Sequence, residues 1–240
     1  MPVFRLPEVP FFPDPELADP CGLLAVGGDL SPGRLLAAYL AGVFPCYGPS
    51  DPILWWSPDP RLVLFPDDLH IPRSLRRVLN GRRFRVTMNE AFGRVIRFCA
   101  GVSRPGSDGV WLVPEMIEAY EKLHGLGLAV SVEAWDDEGL AGGFYGVALG
   151  RAFFGESMFH LRPESSKAAL ATFVRHFAAR IDFVDCQQKT EHMVRLGGGE
   201  VDRRRFRRRL AAAVGDFDDP ETIRFWSGSR VIDPRTGEDT

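Results

Sequence analysis

Residues 128–159 read LAVSVEAWDDEGLAGGFYGVALGRAFFGESMF. Three strand-like runs, 128–135, 140–150 and 151–159, are separated only by Asp136-Asp137-Glu138-Gly139 and by Gly150-Arg151. Connections this short, made of turn-forming residues, leave no room for a crossover, so consecutive strands must run antiparallel. The stretch predicts a meander.

Outward from it, strands and helices alternate. RLVLF (61–65) and FRVTM (84–88) read as strands around a short helix near 73–80, and Asn89 is placed to cap an amphipathic helix running to Ala100. Pro114 opens a further helix ending near Gly125 or Gly127. Downstream come a helix from Ser165 to Ala179, the strand FVDCQ (183–187), a helix around Thr190–Leu196 and an arginine-loaded helix at 202–213.

Before residue 61 the pattern differs. The first twenty or so residues, centred on Phe11-Phe12-Pro13, read as extended chain wrapping a surface. Ser31 and Pro32 then start a helix carrying Leu35, Leu36, Tyr39 and Leu40, which Gly42 can stop. Residues 43–60 combine five prolines with Trp55 and Trp56, which predicts a packed functional loop and no regular element. The expectation is a mixed α/β (α+β) chain: a small N-terminal domain at 1–60, a larger domain at 61–214, and a loosely ordered acidic tail at 215–240.

With 240 residues, 45% hydrophobic and 25% charged, the composition is that of a soluble globular protein. Twenty-nine basic against thirty-two acidic side chains give a net charge of −3, so any polyanionic partner needs a local patch. Cys21, Cys46, Cys99 and Cys186 are scattered without C-x-x-C or zinc spacing, which fits free thiols in a reducing compartment. The N-terminus lacks a signal pattern and no apolar run is long enough to span a bilayer, so a cytoplasmic protein without a membrane partner is expected. The five histidines are dispersed, without H-E-x-x-H, and no metal is expected.

Alternation along 183–187 sets Asp185 and Gln187 on one face and Val184 and Cys186 on the other. Glu156 lies between large apolar neighbours, where a carboxylate is costly to bury without a partner; a structural ion pair or a solvated edge would also account for it. Nucleophilic catalysis by Cys186 with His192 as base has no supporting signature, and a buried small residue explains that cysteine better. Arg73, Arg76, Arg77, Arg82, Arg83 and Arg85 form one acid-free basic block; Arg203–Arg205 with Arg207–Arg209 form another. Both suit phosphate oxygens, or are simply solvated helix faces. Tyr39, Tyr47, Trp55, Trp56, Trp111 and Tyr120 offer flat surfaces of the kind on which unpaired bases stack, or are core.

The segments GLLAVGGDLSPGRLLAAYLAGVFP (22–45), DPILWWSPDPRLVLFP (51–66), RVTMNEAFGRVIRFCA (85–100), GGFYGVALGRAFFGESMF (142–159) and DCQ (185–187) closely resemble the leucyl/phenylalanyl-tRNA–protein transferases, in order and spacing, over roughly residues 11–212. The resemblance implies an N-acetyltransferase-like (GNAT-type) larger domain. It also implies an enzyme, without cofactor, that moves Leu or Phe, with Met within its tolerance, from aminoacyl-tRNA to the N-terminal Arg or Lys of proteins and so marks them for degradation. A monomer is expected.

Read residue by residue, the resemblance makes Asp185 and Gln187 a catalytic pair: Gln187 holds the incoming amine through its amide oxygen and Asp185 orients and polarises Gln187 or the amine, while Glu156 attracts the cationic acceptor. Phe144, Phe153, Met158, Leu170, Phe173 and Val184 form the aminoacyl pocket. Tyr39, Trp111 and Tyr120 meet the terminal adenosine through stacking or hydroxyl contacts, and Arg76, Arg77, Arg82 and Arg83 take acceptor-stem phosphates. Two positions depart from the family pattern: Cys46, where an indole is common, and Phe144, where Met often lies. An acyl-CoA-dependent N-acetyltransferase needs a pyrophosphate loop, and Arg195-Leu196-Gly197-Gly198-Gly199 has the wrong spacing for one. A non-catalytic RNA-binding protein leaves Glu156, Asp185 and Gln187 unexplained.

Overall fold

The computed structural model describes residues 3–101, 112–215 and 217–239. In chain order the elements are β1 (Phe4–Arg5), β2 (Leu23–Val26), α1 (Pro32–Ala41), β3 (Phe44–Pro45), β4 (Leu54–Trp56), β5 (Arg61–Leu64), α2 (Arg73–Asn80), β6 (Arg85–Met88), α3 (Phe92–Ala100) and α4 (Pro114–Gly125). Then follow β7 (Ala129–Asp136), β8 (Gly139–Leu149), β9 (Ala152–His160), α5 (Ser165–His176), β10 (Phe183–Gln187), α6 (Glu191–Arg195), β11 (Gly199–Val201), α7 (Arg203–Ala213), α8 (Pro220–Ser227) and β12 (Arg230–Ile232).

A four-stranded sheet, ordered β1-β2-β4-β3, gathers the N-terminal strands. The proline-rich segment expected as a loop contributes β3 and β4. Pro45 is tolerated because β3 is an edge strand and needs no donor on its outer side. Trp55 is fully buried, its ring edge-on to Phe12 at 4.8 Å and its indole N–H donating to Gly27 O at 2.8 Å.

The larger sheet has the order β11-β5-β10-β9-β8-β7-β6-β12. Its centre is the expected meander, with Val132 opposite Phe144 and Phe144 opposite Met158. β9 and β10 are parallel neighbours joined through α5, the crossover that parallel pairing requires. Successive residues alternate faces: Phe153 packs with Phe173 and Val184 against α5, while Phe154 packs with Tyr39, Tyr120 and Phe183 under α1 and α4. Gly142 lets α5 begin close to the sheet, since a Cβ there would come within 2.2 Å of Ser165 Oγ, which donates to Ala141 O. α5 ends at His176, short of Ala179, in a turn where the Arg180 N–H donates to Phe177 O.

Two expectations are corrected here. Asn89 does not cap α3, whose N-cap is Ala91. It takes the left-handed conformation that Asn tolerates (φ 61°), and its amide bridges Trp226 O, Gly228 O and the Ser131 N–H. The tail expected to be loosely ordered instead forms α8, capped by Asp219, and β12, which pairs antiparallel with β6. Buried Trp226 and Ile232 supply the apolar anchor that its acidic composition conceals.

Candidate active site

Backbone pairing of β9 with β10 stops at Phe154 and Asp185. A register shift between Asp185 and Gln187 against β5, with Gln187 at φ 62°, turns the end of β10. Beyond that point Gly155–Met158 and Cys186–Gln187 line a cavity of about 750 Å³. Phe44, Pro45 and Cys46 approach it from the N-terminal sheet, Lys167 and Leu170 from α5, and His192 and Met193 from α6.

Glu156 is buried on the wall of this cavity. Its Oε1 accepts from Tyr39 Oη and from Gln187 Nε2, each at 2.8 Å, and its Oε2 accepts from Tyr120 Oη at 3.0 Å. The two tyrosine oxygens are 2.5 Å apart. Burial lifts the Glu156 pKa to about 7; the tyrosine hydroxyls and Arg61 hold it down, and Asp185 pushes it further up.

Asp185 and Gln187 are not presented together. Asp185 is fully buried and does not line the cavity. Arg61 forks onto it, Nε to Oδ1 at 2.8 Å and Nη2 to Oδ2 at 2.6 Å, and its Oδ1 also accepts the Gln187 backbone N–H at 2.9 Å. The Arg61 guanidinium lies between the rings of Phe44 and Phe206, 4.7 Å from each. Asp185 thus pins the left-handed backbone from which the Gln187 side chain reaches Glu156. Val184 and Cys186 keep the face opposite Asp185 and line the cavity, and the bulge at Cys186 brings Gln187 round to that same face. Arg61 was missed by the sequence reading; its one signal was a charged residue opening an otherwise apolar strand.

Phe144, Phe153, Met158, Leu170 and Val184 make the apolar wall. Phe173 stands behind it, edge-on to Phe144 at 5.5 Å and tilted on Phe153 at 4.6 Å. Tyr39 and Tyr120 are fully buried, with their rings enclosed and their hydroxyls turned to Glu156. Trp111 lies outside the described residues. Arg76, Arg77, Arg82 and Arg83 are exposed on α2 and the turn after it, and none of them lines the cavity. Arg82 pairs with Asp233, while Arg83 lies over the Phe84 ring.

The Cys186 nucleophile fits poorly. Burial and the Asp185 charge push its thiol well above the ordinary range, so it holds its proton at neutral pH. Among the described residues, no three of His, Cys, Asp and Glu gather as a metal-binding set. No described helix is long and apolar enough to cross a membrane.

Among solved structures, a GCN5-related N-acetyltransferase from Kribbella flavida aligns over 70% of this chain and 60% of its own, at 14% identity and a TM-score of 0.31. Residues 63–211 match the family described as Leucyl/phenylalanyl-tRNA protein transferase, and residues 28–59 match its N-terminal domain. The leucyl/phenylalanyl-tRNA–protein transferase of Anaeromyxobacter dehalogenans (strain 2CP-C) is 58% identical over 215 residues, 89% of this chain and 92% of the relative. That of Solidesulfovibrio magneticus is 52% identical over 232 residues, 93% and 94% of the two chains. With both family domains matched in order and more than half the residues identical over most of the length, the chain belongs to the leucyl/phenylalanyl-tRNA–protein transferase family.

Proposed function

We propose that the chain transfers leucine or phenylalanine from aminoacyl-tRNA to the N-terminal Arg or Lys of acceptor proteins, and that the added residue marks them for degradation. The observation that carries this reading is an apolar wall and a hydrogen-bonding pair, Gln187 and Glu156, on one cavity where two strands part. Aminolysis of an ester needs the acyl side chain held, its carbonyl exposed to the amine, and a place for the amine's proton.

Phe144, Phe153, Met158, Leu170 and Val184 hold the side chain of the donor. Burying a Leu or Phe there contributes about 1.5–3 kcal/mol, enough to reject small or charged residues while leaving Met tolerated. Gln187 gives its N–H to Glu156, which leaves its amide oxygen to accept from the incoming amine. Asp185 acts one step removed, through the Gln187 backbone, and Arg61 holds Asp185 in place. The exposed arginines of α2 take phosphates of the acceptor stem, which positions the tRNA without identifying it. The chain works as a monomer in the cytoplasm.

The test is a transfer assay with labelled Leu-, Phe- and Met-tRNA and peptides beginning with Arg, Lys or Ala, with acetyl-CoA in parallel. Label from Leu- and Phe-tRNA on the Arg and Lys peptides is expected. Acetylation without aminoacyl transfer would replace this reading with the acetyltransferase one.

A further inference from the structure

Tyr39, Tyr120 and Glu156 form a closed triangle of oxygen contacts, at 2.5, 2.8 and 3.0 Å. Three such contacts need three protons, one per edge. Two phenols beside a carboxylate hold only two. If both donate to Glu156, the tyrosine oxygens face each other at 2.5 Å with no hydrogen between them. One more proton, on Glu156, closes the ring: the carboxyl donates to one hydroxyl, that hydroxyl to the other, and the second back to the free carboxyl oxygen. The phenols cannot be the site of gain or loss, since burial and the Glu156 charge raise both well above their ordinary value.

We propose that this ring is the proton acceptor of the transfer step, with Glu156 as the catalytic base and Tyr39 and Tyr120 as its positioning residues. The inference rests on the function proposed above. As the acceptor nitrogen bonds to the ester carbonyl carbon, one N–H proton passes to the Glu156 carboxylate and completes the ring. When the C–O bond to the ribose breaks, the same proton goes to the departing ribose oxygen. Atoms and charge balance without another reagent, and the carboxylate is regenerated.

The surroundings suit a base that titrates near neutrality. α1 contributes Tyr39, α4 contributes Tyr120, β8 contributes Tyr145 edge-on to Tyr120, β10 contributes Asp185 and Gln187, and β5 contributes Arg61. Asp185 raises the proton affinity of Glu156 and Arg61 moderates it. The assignment also explains why two tyrosines sit with enclosed rings while their hydroxyls converge on one carboxylate.

Single-turnover transfer from Phe-tRNA to an Arg-initiated peptide, followed from pH 5.5 to 9, tests the proposal alongside Phe-tRNA binding at each pH. Y39F and Y120F should bind Phe-tRNA within about twofold of wild type yet transfer about tenfold more slowly, and E156Q about a hundredfold more slowly. Loss of a hydroxyl donor weakens the ionised form more than the neutral one, so the acid limb should move to higher pH in both tyrosine variants. The acceptor amine is the same throughout, so its own titration cancels in the comparison. Weakened Phe-tRNA binding with an unmoved acid limb would overturn the proposal and make the tyrosines donor contacts. If the phenylalanine variants do not fold, E156Q decides alone: an acid limb identical to wild type overturns the ring. Absence of transfer by the wild-type chain would sink the proposed function itself, whereas a transferring wild type with unaffected variants sinks the ring only.

Discussion

Arg61 and Asp185 are both enclosed, and each neutralises a charge that the other could not leave exposed to so little water. Removing one partner of such a pair costs about 3–5 kcal/mol, because the survivor stays buried and uncompensated. R61M is therefore expected to lower unfolding free energy in urea by about that amount, and R61M/D185N to recover part of it. D185N alone should spare Phe-tRNA binding while lowering transfer, since it loosens the Gln187 backbone and not the acyl pocket. Glu156 makes a prediction of the opposite sign. Its folded pKa of about 7 lies above the ordinary carboxylate value, so the stability associated with its protonated form is present at low pH and is lost as pH rises to about 7. E156Q carries no such loss. Denaturant titrations should show wild type falling behind E156Q across that window, by on the order of 3 kcal/mol.

At the scale of elements, the C-terminal β12 covers the edge of β6, and Trp226 in α8 is nearly inaccessible, its indole N–H donating to Gly150 O at 3.1 Å. W226A should cost about 3–5 kcal/mol, measured as the shift in the urea midpoint at constant slope. A negligible shift would mean that the tail contributes little to the core. The meander was legible because its period-2 runs and two short turns admit one arrangement. The helices from Pro32 and Pro114 were legible from their first residues, and the one at 73–80 from its place between two strand-like runs. The tail was not, because two buried residues in an acidic stretch give no periodic signal. Nor was the disposition of Asp185 and Gln187. A single bulge with one left-handed residue inverts the strand's alternation, and glutamine carries no mark of that conformation as glycine would. Arg61 was read only as the first residue of a strand, since its partner lies far along the chain.

For the whole molecule, the net charge of −3 hides the exposed arginines of α2 and the turn after it, and phosphate binding by such a patch must be salt-dependent. Affinity for Phe-tRNA is expected to fall steeply with salt, and R76E/R77E to lower the slope of log affinity against log salt by about 1–2, equally for Leu- and Phe-tRNA. An unchanged slope would remove α2 from the RNA-binding surface. Phe44 and Cys46 from the N-terminal part line the same cavity as Gln187, and Arg61 packs on Phe44. The cavity is thereby lined from both regions that the family's two domain models match. The most direct test is a crystal structure with an amide-linked phenylalanyl-adenosine analogue, which cannot be aminolysed. The phenyl ring is predicted among Phe144, Phe153 and Leu170, with the carbonyl within hydrogen-bonding reach of Gln187. An analogue bound elsewhere on the protein, with that cavity empty, would contradict it.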